Sequence, residues 1–190
     1  MKKNNTVYIY GKRIFLRPLS FDDVSDEYLH WMSDKEVTRF LESKRIKYSK
    51  KKLKEYVTMF VGSKTDILLG IFINENRKHI GNIKIGGIHS YHRYGDIGLM
   101  IGDKNMWGKG YGTDSIALAW RYATEKLNVH KLTAGINEDN CPSFHAFLRA
   151  GFYEVGRLKK HAFFEGKYVD TILVEKIFDS FKPNKNINRK

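Results

Sequence analysis

Residues 95–113 read Gly-Asp-Ile-Gly-Leu-Met-Ile-Gly-Asp-Lys-Asn-Met-Trp-Gly-Lys-Gly-Tyr-Gly-Thr, and this stretch decides the fold. Ile97 to Ile101 has the apolar content of a strand. Glycine follows at 108, 110 and 112, and an apolar-periodic helix is expected to open at Thr113 or Asp114. Alternating glycines let several main-chain N–H groups approach one anion without obstruction by Cβ. The helix behind them adds unpaired N–H groups and the positive end of its dipole. The stretch therefore reads as a cradle for a diphosphate, fed by a strand and backed by a helix.

On its N-terminal side, residues 7–17 are β-branched and aromatic around Gly11 and predict a strand or hairpin that Pro18 ends. Ser20 to Ser33 predicts a helix with Val24, Tyr28, Leu29, Trp31 and Met32 on its apolar side. Ser49 is placed to cap a second helix running to about Val61. Ile67–Ile73 is almost wholly apolar and predicts a central strand, and Ile80–Ile88 returns beside it after the Asn74–Arg77 turn. His89–Tyr94 reads as a loop. Beyond the glycines, Asp114–Leu127 carries Ile116, Trp120, Ala123 and Leu127 on one helical stripe. Lys131–Ile136 predicts a strand, and Pro142–Ala150 a helix stopped by Gly151. Phe152–Leu158 and Tyr168–Ile177 close as strands around the Glu165-Gly166 turn. The expected fold is α/β (α+β), a sheet with helices on both faces, forming one domain over 1–180 with a basic, disordered tail over 181–190.

Composition narrows the function classes. With 190 residues, 42% of them hydrophobic, the chain can bury a sizeable core, which excludes wholesale disorder. Its apolar runs are too short to span a bilayer, and no charged-then-apolar leader precedes Tyr8. The single cysteine, Cys141, excludes an internal disulfide, and nothing supplies a zinc-ligand set. These readings predict a cytoplasmic protein with no metal and no membrane partner. The net charge of +13 favours polyanionic partners. Part of it is local, in a run from Lys44 through Lys47 and Lys50 to Lys54. It leaves open a rival reading as a basic nucleic-acid-binding protein, though no helix-turn-helix, zinc-finger or RNP-like signature accompanies it.

Taken together, these residues resemble the GNAT N-acetyltransferase superfamily, in the branch that includes the ribosomal-protein N-terminal acetyltransferases. The resemblance runs from about Arg13 to Ile177. Arg13-Ile-Phe-Leu-Arg-Pro-Leu with Asp22-Asp23 is similar to that branch's first strand and helix, and Trp107-Gly-Lys-Gly-Tyr-Gly to its pyrophosphate loop. Asn140-x-x-Ser143 followed by Ala150-Gly151-Phe152 is similar to its second cofactor motif, and Gly166-Lys-Tyr-Val-Asp170 to its closing hairpin. Two positions depart from the wider superfamily: Trp107 stands where Arg or Gln is usual, and Phe147 where many members carry Tyr.

The resemblance implies a splayed, mostly antiparallel mixed sheet of about seven strands and acetyl-CoA as co-substrate, with direct transfer to a primary amine. Trp107, Gly108, Lys109, Gly110, Tyr111, Gly112 and Thr113 would hold the pyrophosphate. Leu99, Met100 and Ile101 would pair with the pantetheine arm, a main-chain N–H near Met100 polarising the thioester. Asn140, Ser143 and Phe147 would line the cofactor's other side. An amine of pKa about 10 must lose a proton before attack; Asp96 is the candidate base, and Ser143 a candidate for helping the thiolate leave. Trp31, His89, Tyr91 and His92 are candidate acceptor contacts. The implied acceptors are a small amine, such as a nucleotide-linked amino sugar, or a protein N-terminus. Nucleic acid is not required, a homodimer is admitted, and a CoA-binding relative without catalysis is the remaining alternative.

Overall fold

The computed structural model describes residues 7–178; the basic tail anticipated over 181–190 lies outside them. Eight strands form one sheet: β1 (Ile9–Tyr10), β2 (Ile14–Pro18), β3 (Ile67–Ile73), β4 (His79–His89), β5 (Tyr94–Ile101), β6 (Lys131–Asn137), β7 (Tyr153–Phe164) and β8 (Lys167–Ile177). Their order across the sheet is β1-β2-β3-β4-β5-β6-β8-β7. Every described pairing is antiparallel except β5 with β6. The helices are α1 (Asp26–Ser33), α2 (Lys50–Thr58), α3 (Tyr111–Lys126) and α4 (Cys141–Arg149). Sequence reading gives about seven strands; the eighth is the two-residue β1, hairpinned to β2 through Gly11.

Both faces of the sheet are covered, which is why β3 reads as continuously apolar rather than alternating. Leu69 and Ile71 pack with Ile116, Ala119 and Ala123 of α3 and with Phe147 of α4. Leu68 and Phe72, offset by one residue, pack with Tyr28, Trp31 and Met32 of α1 and with Leu53 and Val57 of α2. Period-two alternation along one strand thus feeds two separate cores.

Several element boundaries differ from the sequence reading, β5 starting already at Tyr94 and α2 ending at Thr58 among them, and three differ for evident local reasons. The helix expected over Ser20–Ser33 is broken. Asp23 accepts from the Ser20 N–H at 2.7 Å and from both terminal nitrogens of Arg17 at 2.7 and 2.5 Å, which holds Phe21–Asp23 as a 3-10 turn. Ser25 then caps α1 by accepting from the Tyr28 N–H. The α3 helix opens at Tyr111, ahead of the expected Thr113 or Asp114, because Gly110 in the left-handed region takes the N-cap position without a side-chain cap. The last hairpin is longer than expected, β7 reaching Phe164 before the Glu165-Gly166 turn.

Candidate active site

The parallel pairing of β5 with β6 covers only Tyr94↔Lys131, Gly95↔Leu132 and Asp96↔Thr133. Beyond these residues β5 stays paired with β4 as far as Ile101, and β6 with β8 as far as Asn137. The two strands therefore part like a fork, with Asp96 at its vertex and two strand edges facing one another across the gap. Unpaired strand edges are strong, unsatisfied hydrogen-bonding groups.

The ladder shows which residues turn their main chain to the gap. The Gly102 N–H donates to Ile80 O at 2.9 Å, making residues 80 and 102 a hydrogen-bonded pair. Pairs of this kind alternate along an antiparallel ladder, so Asn82–Met100 is the next one. Met100 thus gives its N–H and C=O to β4, so of the three residues expected to pair with the pantetheine arm, Leu99, Met100 and Ile101, Met100 has its main chain engaged within the sheet. Leu99 and Ile101 face the gap, and the Ile101 carbonyl there accepts from Trp107 Nε1 at 2.7 Å.

At the end of β5, the loop closes onto the start of α3. Gly108 and Gly110 have φ of 71° and 82°, a region that side chains disfavour, whereas Gly112 lies within α3. The first helical bond at this end runs from the Asp114 N–H to Gly110 O. The N–H groups of Tyr111, Gly112 and Thr113 precede it and have no helical acceptor. Arg13 braces the loop: it donates to Lys109 O at 2.9 Å and to Asp114 Oδ2 at 2.8 Å, and its guanidinium lies over the Tyr111 ring. Sequence reading treats Arg13 only as part of a strand motif. Its partners lie about a hundred residues away, so spacing gives no signal of the role.

A cleft of about 280 Å³ opens over the fork. Its lining includes Asp96, Gly98, Leu99 and Met100 from β5, Ala134 to Asn137 at the end of β6, and Asn140, Ser143 and Phe147 around α4. Asn140 caps α4, its Oδ1 accepting from the Ser143 N–H at 3.3 Å. Phe147 is fully buried against Phe152 and supplies an apolar wall with no exchangeable proton. The other walls come from residues that sequence reading does not single out for this purpose. These are Tyr28 of α1, Phe40 to Ser43 and Tyr48 of the α1–α2 connection, Tyr56 of α2, and Asn82 and Lys84 of β4. Burial raises the pKa of the Tyr28, Tyr48 and Tyr56 phenols, so they enter the site as neutral O–H groups.

The α1–α2 connection is latched across the cleft onto the β7–β8 turn. Phe40 stacks on Phe164 at 5.1 Å, and Arg39 meets Glu165 through two bonds of 2.8 and 3.0 Å. Four expected acceptor contacts lie elsewhere. Trp31 is buried in the α1 core against Tyr28 and His79, and Gly102 runs so close beneath it that a Cβ there would meet the indole at 2.1 Å. His89 ends β4, and Tyr91 and His92 follow in the β4–β5 turn, where the His89 and His92 rings lie 4.6 Å apart and Tyr91 is 83% exposed. None of the four is part of the cleft lining.

A family profile for the acetyltransferase (GNAT) domain matches residues 13–153. The uncharacterized N-acetyltransferase p20 of Bacillus licheniformis is 23% identical over 172 residues, covering 87% of this chain and 93% of that protein. Among solved structures, the ribosomal-protein-S5-alanine acetyltransferase of Vibrio fischeri superposes with a TM-score of 0.81 at 19% identity, covering 93% of this chain and all of that one. The spermidine N-acetyltransferase of Vibrio cholerae, solved with CoA and spermine, gives 0.77 at 21% identity, over 87% and 95% of the two chains. The forked sheet, the glycine loop and the extent of the profile match lead to one conclusion: this chain belongs to the GNAT acetyltransferase family and is an acyltransferase.

Proposed function

We propose that the protein transfers an acetyl group from acetyl-CoA to a primary amine held on the α1/α2 face of the fork, in a cytoplasmic setting. The observation that carries this reading is the pair of parted strand edges leading to a helix N-terminus preceded by two left-handed glycines. A pantetheine arm offers amides to the first, and a diphosphate offers oxygens to the second. Bound acetyl-CoA would supply the thioester whose acyl group moves to the amine.

The protein's own residues have distinct tasks in this reading. Gly108 to Thr113 hold the diphosphate with main-chain N–H groups, and Lys109 adds charge. Leu99 pairs with an amide of the arm. Asp96, at the fork vertex and on the same face as Gly98 and Met100, attracts the ammonium and takes its proton through water in the open cleft. Ser143 offers its hydroxyl to the departing thiolate. Relatives named for spermidine and for ribosomal-protein acetylation leave the acceptor class broad: a small amine, an amino sugar on a nucleotide, or a protein N-terminus.

The test is CoA release with an amine panel, combined with calorimetry. Asp96→Asn is expected to lower kcat about 100-fold with CoA affinity unchanged. Failure of the wild-type chain to bind CoA overturns the reading.

A further inference from the structure

Asn82 is only 6% exposed, yet it lines the cleft from β4, in register with Met100. A buried amide needs its hydrogen-bonding groups matched. Its Oδ1 lies 2.9 Å from His79 Nε2, which is also 2.9 Å from Gly81 O. A carbonyl oxygen can only accept, so Nε2 carries the ring proton and is a donor toward both. A ring donor in turn requires the amide to present oxygen. That fixes the amide's direction, with Oδ1 toward His79 and Nδ2 turned away from it, on a residue that lines the cleft.

His79 is itself held firmly. Phe72 stacks on it at 4.8 Å, with Trp31 at 5.1 Å and Tyr28 at 5.7 Å edge-on. Burial lowers its pKa, with Asn82 and Asp23 opposing, so the ring is neutral at neutral pH. Trp31 therefore bears on the cleft indirectly, as a wall of the cage that aims Asn82. Lys84 lies two residues further along the same face of β4 and places a second donor there, paired at 2.9 Å with Asp66.

Resting on the acetyltransferase reading above, we infer that Asn82 is a specificity-determining residue. Its Nδ2 donates to an oxygen of the acceptor, which is therefore an amine bearing a nearby carbonyl or hydroxyl rather than an alkyl polyamine. An amino amide or amino sugar matches the donor. An alkyl polyamine, cationic at neutral pH and without oxygen, leaves Nδ2 desolvated and unmatched, and such a mismatch is discriminated strongly.

The experiment compares kcat/KM for alaninamide with that for 1,2-diaminopropane, which differ by one carbonyl, with glucosamine and spermidine as extended probes. The wild type is expected to favour the oxygen-bearing member by about tenfold. Asn82→Asp keeps the shape and still satisfies His79, but puts a carboxylate oxygen where the donor was, so the preference inverts toward the diamine. His79→Phe keeps the aromatic packing and releases the amide; the preference is expected to shrink toward one through KM, with kcat nearly kept. A purely structural role would lower both substrates together. Equal losses in Asn82→Asp, or a wild type that favours the diamine, overturn the inference while leaving the enzyme an acetyltransferase. If Asn82→Asp loses CoA binding by calorimetry, Asn82→Ser decides instead, and an unchanged preference there overturns the inference. No turnover of any amine overturns it together with the reading it rests on.

Discussion

The two sides of the β5–β6 fork are built by different means. In the proposed function, the cofactor side would bind through main-chain N–H and C=O groups supplied by one continuous stretch from Leu99 to Thr113. On the proposed acceptor side, the cleft is lined by side chains drawn from α1, the α1–α2 connection, α2 and β4. A main-chain site depends on conformation, and conformation is written locally by glycine and helix caps. A side-chain site depends on tertiary meeting, so one chain can keep its donor chemistry while its acceptor wall is recomposed residue by residue.

The largest effect is expected where conformation itself does the binding. Gly110→Val forces a branched residue to a φ of 82° and puts a Cβ 3.1 Å from Arg13 Nη2. Strain of about 1–3 kcal/mol, together with displacement of Arg13, is expected to weaken CoA binding roughly 100-fold by calorimetry. Gly112→Ala lies within α3, with its nearest outside contact at 3.5 Å, an ordinary separation. There the change should be no more than about threefold, since alanine favours the helix. Equal losses at the two positions would show that the alternate-glycine pattern matters beyond its backbone angles, and would break the comparison on its better understood side.

Gly98 gives the matching test on the acceptor side. It stands on β5 between Asp96 and Met100, and a Cβ built on it meets nothing within 4 Å. A leucine there suits a strand but fills the cleft. Acetyl transfer by Gly98→Leu is expected to fall at least about 30-fold in kcat/KM, in line with a steric cost of about 2 kcal/mol, with CoA affinity nearly unchanged. A loss of CoA affinity of the same size would mean that the two sides are not separable.

These contrasts also explain what the sequence reveals. The strand, loop and helix around residues 95–113 are legible because every cue is local: an apolar run, left-handed glycines and a helix start. Asp96 at the vertex and Asn140 with Ser143 at α4 can be nominated for the same reason. Trp31 is misleading because an aromatic on a helix's apolar side looks the same whether it meets a ligand or the core. Residues 89–92 are misleading because a histidine-rich loop next to Asp96 in sequence belongs to the turn end of β5, away from the parted strands. Asn82 gives no warning at all. Its meaning comes from His79 three residues earlier and from the aromatic cage that folding builds around that ring.

The smallest effect concerns that cage and has a definite sign. The folded His79 has a pKa below its ordinary 6.5, foremost because burial disfavours the charged ring. Between the folded value and 6.5, the unfolded chain binds a proton that the folded chain refuses, so stability rises with pH through this window. It is correspondingly lost as pH drops below 6.5, until the folded ring also protonates. In thermal melts between about pH 7.5 and about pH 5.5, the wild type should therefore lose on the order of 2 °C more than His79→Phe, which has no proton to refuse. Parallel melting curves would mean that the folded ring takes up its proton as readily as the unfolded one, and so becomes charged in the folded protein as pH falls through 6.5. A charged ring donates from both nitrogens and gains its own counter-demand for an acceptor, so the neutral cage that aims Asn82 would no longer describe the acceptor side.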